Sequence, residues 1–275
     1  MNVASGGVGL DVADRLEAVL ADFGVDFRIT VASGAEVVTA LRAAVEASPD
    51  LVVTLGGDGT ARLAAELCGP DGPLVAPLSG GTVNFLSRAI YGGVAWDEAL
   101  IAALTEGEAR PVAGGRVAGR PFYAAALLGT AALLAPAREA VRAGKLKMAW
   151  RRANTVCKRM FTSQIRFQTD NSLPSKAMAL GLLSPHVSQA CHGGIALEAV
   201  GLDFHGATEG FRLGLHALMG DWRSDPAVTA TLCRHGRAWA KAPIPCILDG
   251  ETFLLERTVE IEFEPNGFHA LAPAR

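Results

Sequence analysis

Apolar and polar positions along the first hundred residues switch repeatedly between a helical period and short apolar runs. Leu16, Val19, Leu20 and Phe23 fall on one face of a helix predicted over residues 12–23, with Asp11 placed to cap it. Residues 25–31 read as a strand, 35–47 as a helix ending near Ser48-Pro49, and 51–55 as a buried strand. A helix follows Thr60, then a short strand over 74–77, a helix from about Val83 and another over 96–105. Strands separated by helices of this length predict a mainly parallel sheet covered on both faces. Ligands bind such sheets beyond the carboxyl ends of the strands.

After Arg110 the rhythm changes. Short β-like runs are predicted over 116–117, 122–128, 164–169, 177–183, 195–200, 228–233, 244–248 and 259–263, broken by Gly, Pro and Asn-Ser turns. Helical insertions are predicted over 132–143, 148–161 and 207–219. The expected fold class is α/β: an N-terminal, mainly parallel αβα domain over 1–108, then a β-rich, sandwich-like domain over 109–275. The C-terminal tail is free to pack back on the first domain.

Composition narrows the class. The chain has 275 residues, 50% hydrophobic and 19% charged, which describes a folded globule with substantial cores. Its net charge of -3 argues against a dedicated nucleic-acid binder. The five cysteines are odd in number and scattered, as expected for reduced thiols in a cytoplasm. Cys191-His192 and Cys233-Arg234-His235 lack a second ligand pair at zinc spacing. Residues 1–7 carry neither the basic start nor the apolar core of a secretory signal. The longest uncharged stretch, between Arg120 and Arg138, is interrupted by Gly129 and Pro136 and is shorter than the ~20 apolar residues a membrane span needs.

Three segments carry candidate chemistry. Gly56-Gly57-Asp58-Gly59-Thr60 follows directly on the strand 51–55 and leads into strong helix formers. Glycines there permit positive φ and close approach of backbone N–H groups to a phosphate, and the helix start favours an anion. Asp58, a negative charge in such a place, fits if a cation such as Mg²⁺ lies between it and the phosphates. An ordinary glycine-rich turn is the plain alternative. Residues 77–86 repeat the strand, glycine turn and helix pattern, with Thr82 and Asn84 placed either for a ligand or for simple capping. Asp249-Gly250-Glu251 sets two carboxylates about a glycine at a strand end, where a plain hairpin turn is the commoner use.

Taken in order, these segments resemble the signatures of the diacylglycerol kinase catalytic family, which includes sphingosine kinases and bacterial lipid kinases. The carriers are GGDGT (residues 56–60), GGTVNFLSR (80–88), DGE (249–251) and Asn2-Val3-Ala4-Ser5-Gly6-Gly7, similar to the family's N-terminal Asn-Pro-x-Ser-Gly loop with Val3 in place of proline. GGDGT alone is shared with NAD kinases. The resemblance implies the fold common to diacylglycerol and NAD kinases, a nucleotide-binding first domain and a lipid-acceptor second domain, with three loops meeting at one ATP. It places Asn2, Ser5, Gly6, Thr30, Gly56, Gly57, Asp58, Gly59, Thr60, Arg62, Gly81, Thr82 and Asn84 near ATP. It makes Glu251 or Asp249 the proton acceptor, with Asp58 and Asp249 in the Mg²⁺ network.

Independent of the resemblance, the chain has no GxxxxGK[ST] string and no lysine in a glycine loop, which excludes a P-loop enzyme and the protein-kinase pattern. No GxSxG string is present either. The sequence departs from the family at Val112-Ala113-Gly114-Gly115, where an acid is usual, and at Cys191-His192-Gly193-Gly194-Ile195-Ala196, which replaces an acidic metal-binding region and predicts no structural metal there. Arg62-Leu63 stands where Asn-Glu is frequent, and the strand before the Asn loop is expected to be missing. Between Arg138 and Arg166 nine basic residues face one acid, Glu139, which suits either an anionic membrane surface or a solvated helix face. The expectation is therefore a cytoplasmic, ATP- and Mg²⁺-dependent lipid kinase, peripheral at the inner membrane face and not bound to nucleic acid. An NAD kinase and a non-catalytic nucleotide or lipid sensor are the alternatives.

Overall fold

A computed structural model of the chain describes residues 1–9, 11–134, 164–170, 172–188, 190–191, 194–203 and 222–274. In chain order the first elements are α1 (Val12–Asp22), α2 (Glu36–Glu46), β1 (Leu51–Gly56), α3 (Asp58–Cys68), β2 (Leu74–Ser79), α4 (Phe85–Tyr91), α5 (Trp96–Glu106) and β3 (Gly107–Val117). Short strands follow: β4 (Arg120–Phe122), β5 (Ala125–Gly129), β6 (Ile165–Thr169), β7 (Ser175–Ala177), β8 (Ala179–Leu183) and β9 (Leu197–Leu202). The last are β10 (Val228–Cys233), β11 (His235–Trp239), β12 (Ile244–Leu248), β13 (Glu251–Leu255) and the long β14 (Thr258–Pro273). Two compact units result, Met1–Gly114 with Glu264–Arg275, and Gly115–Phe263. Most of the helix predicted over 132–143, all of those over 148–161 and 207–219, and the basic stretch 138–163 lie outside the described residues.

In the first unit β1 and β2 pair in parallel, from Leu51 opposite Leu74 to Gly56 opposite Ser79. The end of β14 runs parallel to β2, with Ala270 opposite Val75. Alternation along the strands gives each face its own packing. Leu55 and Leu78 join Val12, Leu16 and Leu20 of α1 and Ala99, Leu100 and Ala103 of α5 in one buried cluster. Outside that cluster, α3 packs on β1 and β2 and buries Ala61, Ala64, Ala65 and Cys68, small side chains that let the helix sit close to the sheet. Residues Val37 and Leu41 are the buried positions of α2, which packs on α3. The Tyr91 hydroxyl donates to the Leu271 carbonyl at 2.7 Å and Arg110 Nη1 to the Pro273 carbonyl at 2.9 Å, fastening the end of β14.

Two local expectations fail here. Residues 25–31 form no strand; among the described residues the neighbouring contact is a single parallel bridge between Asn2 and Ala32. Val3 N–H donates to the Ala32 carbonyl at 3.1 Å and Ala32 N–H to the Met1 carbonyl at 3.0 Å. Asp11 makes no capping bond, since its φ of -72 and ψ of -14 are helical rather than the extended backbone a side-chain cap requires.

The second unit is a sandwich of antiparallel sheets. One has the order β10-β9-β8-β5-β12-β13, and in the other the start of β14 pairs with β11, β11 with β6 and β6 with β7. Phe122, Ile165, Phe167 and Ile261 from one sheet pack with Leu128, Leu180, Leu182, Leu197 and Leu248 from the other, all almost wholly buried. The runs predicted over 122–128 and 177–183 are each two strands, broken at residues 123–124 and at Met178. At both breaks the chain crosses from one sheet to the other. Strands β11 and β13 carry too weak an apolar alternation to be predicted.

The Phe122 side chain has no solvent exposure. Phe122→Ala is expected to cost about 3–5 kcal/mol, read as a lower urea midpoint with an unchanged denaturant slope.

Candidate active site

Three loops of the first unit interlock at the carboxyl ends of β1 and β2. Gly80 N–H donates to the Gly56 carbonyl at 2.8 Å and Gly7 N–H to the Gly80 carbonyl at 3.0 Å. Asn2 reaches both ways: its backbone N–H bonds the Leu55 carbonyl at 2.9 Å and its side-chain amide donates to Thr60 Oγ1 at 2.9 Å. Ser5 Oγ accepts the Gly57 N–H at 3.1 Å. Asn84, in the left-handed region at φ 55, accepts from Gly81 N–H at 2.8 Å and donates to the Gly81 carbonyl at 2.9 Å, closing the second glycine turn on itself.

The glycines are present for space. Gly56, Gly57 and Gly59 do not take positive φ, so that part of the sequence argument is corrected. A Cβ on Gly81 would stand 2.6 Å from Gly57 Cα, and one on Gly80 would stand 2.7 Å from Gly56 N. Real Cβ atoms do not come so close to backbone; the two turns therefore lie backbone against backbone.

Helix α3 begins at Asp58, three residues earlier than expected, with Gly57 extended at its N-cap. Its first turn thus contains Asp58, Gly59 and Thr60, and the aspartate complements the positive end of the helix. Asp58 Oδ1 also accepts the Leu86 N–H of α4 at 3.3 Å. Burial raises its pKa above the ordinary aspartate value, and bonds from the Leu86, Phe85 and Asn84 amides oppose that without cancelling it. Among the described residues no group of three or more His, Cys, Asp or Glu could hold a metal ion. A single part-buried carboxylate still fits Mg²⁺ of the kind that keeps its waters and takes its remaining ligands from phosphates.

The loops thus bring together Asn2, Ser5, Gly56, Gly57, Asp58, Thr60, Gly81 and Asn84. Gly59 shares the first turn of α3, and Arg62, one turn on, donates to Glu66 at 3.0 Å. Gly6 and Thr82 are exposed, and a Cβ on Gly6 would meet nothing within 4 Å. Thr30 is exposed as well, its carbonyl accepting from the Met1 ammonium at 2.7 Å.

Asp249 and Glu251 belong to the second unit. Asp249 and Gly250, at φ 45 and 89, form the two-residue turn between β12 and β13, whose strands close with Leu248 opposite Glu251. Positive φ at both central residues marks a type I′ hairpin. Asp249 is only 3% exposed. Its carboxylate accepts Tyr123 N–H at 2.7 Å and Ala124 and Ala125 N–H at 2.9 Å each, while its own N–H bonds the Ala125 carbonyl at 2.9 Å. Glu251 remains partly exposed. The amide donors at 123–125 are backbone groups with no sequence signature, and sequence reasoning missed them.

Glycine turns locked at the ends of parallel strands, an acid at the start of the following helix, and a separate antiparallel sandwich define a phosphate-handling α/β class. The family model of the diacylglycerol kinase catalytic domain matches residues 1–117. The chain therefore carries a kinase-family domain, which implies ATP as phosphate donor. A candidate diacylglycerol kinase from Bacillus anthracis str. Sterne matches in structure with a TM-score of 0.72 at 18% identity, over 98% of this chain and 94% of that one. A diacylglycerol kinase from the same organism gives 0.64 at 16% identity, over 92% and 88%. An NAD kinase from Archaeoglobus fulgidus, solved with ATP, gives 0.51 at 12%, over 96% and 90%. No curated protein matches the sequence.

Gly81→Ala is expected to lower stability by about 1–3 kcal/mol, whereas Gly6→Ala, directed into open space, should stay within about 0.5 kcal/mol; urea midpoints of both variants test the contrast. The raised Asp58 pKa gives a signed pH effect. The folded state holds that proton more tightly than the unfolded state, so its contribution is full below about pH 3.9 and is lost as pH rises through the folded value. In buffer with a chelator, Asp58→Asn should therefore gain stability relative to the native chain as pH rises above about 4, as measured by urea midpoints.

Proposed function

We propose that the chain transfers the γ-phosphate of ATP to a hydroxyl of a membrane lipid of the diacylglycerol or sphingoid type. The carrying observation is the diacylglycerol kinase catalytic match over residues 1–117, on the part of the chain whose glycine loops interlock. Asn2, Ser5, Gly6, Thr30, residues 56–60, Arg62, Gly81, Thr82 and Asn84 are assigned to the nucleotide. Backbone approach, rather than a lysine, holds the phosphates. Mg²⁺ entering with ATP supplies charge neutralisation on the phosphate oxygens, and Asp58 is assigned to it.

Glu251 is assigned as the base. It takes the proton of the acceptor hydroxyl as that oxygen bonds to the γ-phosphorus and the bond to the bridging oxygen breaks, releasing ADP. Asp249 is assigned to holding the turn, through its three bonds from the amides of residues 123–125, and, with Asp58, to the Mg²⁺ network. The nine basic residues between Arg138 and Arg166 favour an anionic bilayer as the place of reaction.

Incubation of the chain with labelled ATP and extracted membrane lipid should give labelled lipid. Asp58→Ala and Glu251→Ala should each reduce the rate about 10²–10⁴-fold. Equal labelling by all three proteins would remove the site assignment. Phosphorylation of NAD instead would overturn the lipid acceptor, and ATP binding without turnover on any lipid pool would make the chain a sensor.

A further inference from the structure

Glu198, on β9, is a carboxylate with 1% exposure inside the second unit. Burying a charge is costly unless it is paired and hydrogen-bonded. Arg223 supplies that pairing in a bidentate fork, Nε to Oε1 and Nη2 to Oε2, each at 2.7 Å. Ser188 Oγ donates to the same carboxylate. The guanidinium also stacks on the Trp222 ring, 4.1 Å from its centroid. Burial alone would raise the Glu198 carboxyl, but the bonds from Arg223 and Ser188 outweigh it and hold the group below its ordinary value.

From Ser188 a run of hydrogen bonds leads to the turn at 249–251. Ser188 N–H donates to the Ser184 carbonyl at 2.9 Å, and Ser184 N–H to the Ala124 carbonyl at 2.9 Å. Ala124 N–H then donates to Asp249 Oδ1 at 2.9 Å. Every step is a direct bond. We propose that Glu198 and Arg223 are positioning residues for Glu251: they fix residues 184–188 on β9, these fix 123–125, and those amides hold the Asp249 turn that presents Glu251. The catalytic consequence rests on the base role proposed above for Glu251. The mechanical consequence does not.

The test uses the full chain with Arg223→Ala, Arg223→Lys and Glu198→Gln, followed by hydrogen–deuterium exchange and by lipid-labelling kinetics. In Arg223→Ala, exchange at residues 123–125 and 249–251 should quicken about tenfold or more while residues 51–62 stay within about twofold. The kcat should fall about 10–100-fold with the KM for ATP nearly unchanged. Arg223→Lys should retain part of the rate, and millimolar guanidinium should restore part of it to Arg223→Ala. Unchanged exchange at 123–125 and 249–251 would overturn the proposal. So would equal quickening at 51–62, or a loss in which the KM for ATP moves with kcat, because either marks general destabilisation. If Arg223→Ala does not fold, Arg223→Lys and Glu198→Gln carry the same comparison at smaller amplitude. If the native chain labels no lipid, the lipid-kinase function fails while the exchange measurement still decides the positioning role.

Discussion

Close backbone contact between the two glycine turns is the constraint on which the first unit's candidate site depends. Gly80 N–H bonded to the Gly56 carbonyl, and Gly81 seated on Gly57, leave no room for a Cβ on that seam. With the turns so tightly joined, the N-terminal loop can tie to both, through Gly7 to one and through Asn2 and Ser5 to the other. Backbone groups become rigid there without side-chain entropy having to be lost. That rigidity is the preorganisation phosphoryl transfer calls for, since its catalysis is mostly positioning and electrostatics.

Acids perform a second kind of work in this fold. Asp58 accepts an amide from the start of α4, Asp249 accepts three from residues 123–125, and Glu198 receives a forked guanidinium. In each case a carboxylate at a fixed point of the fold holds a segment from elsewhere in the chain. Charge-assisted bonds to buried carboxylates are among the stronger polar contacts available, so a single side chain suffices. The acids of the family-like motifs are thus fold-building groups as well as candidates for chemistry.

Much of this was legible from residue order. The alternation of helix and strand periods located α1, α2, β1, β2 and α5 closely, because the helices bury one well-marked apolar face and the strands are short continuous apolar runs. The motifs at residues 2–7, 56–60 and 80–88 likewise marked the loops that interlock in the first unit. What stayed hidden depends on tertiary partners. Residues 25–31 look like a strand yet have almost nothing to pair with, and Asp11 looks like a cap yet has helical backbone. Residues 122–128 look continuous, but the chain changes sheets in the middle. The glycines announced a turn correctly while their purpose, clearance for another turn, was written in a distant segment. Glu198 and Arg223 form no motif at all and meet only through folding.

Because β14 gives its last residues to the first unit, that unit is discontinuous in the chain. On the ribosome, β2 emerges with its neighbouring sheet edge still vacant, and the whole of Gly115–Phe263 must be made before Ala270 can arrive beside Val75. At common elongation speeds of 5–20 residues per second, those residues impose a delay of roughly 7–30 s. During that interval the nascent N-terminal half carries β2 paired with β1 on one side and open on the other. The C-terminal residues are the latch that closes that edge.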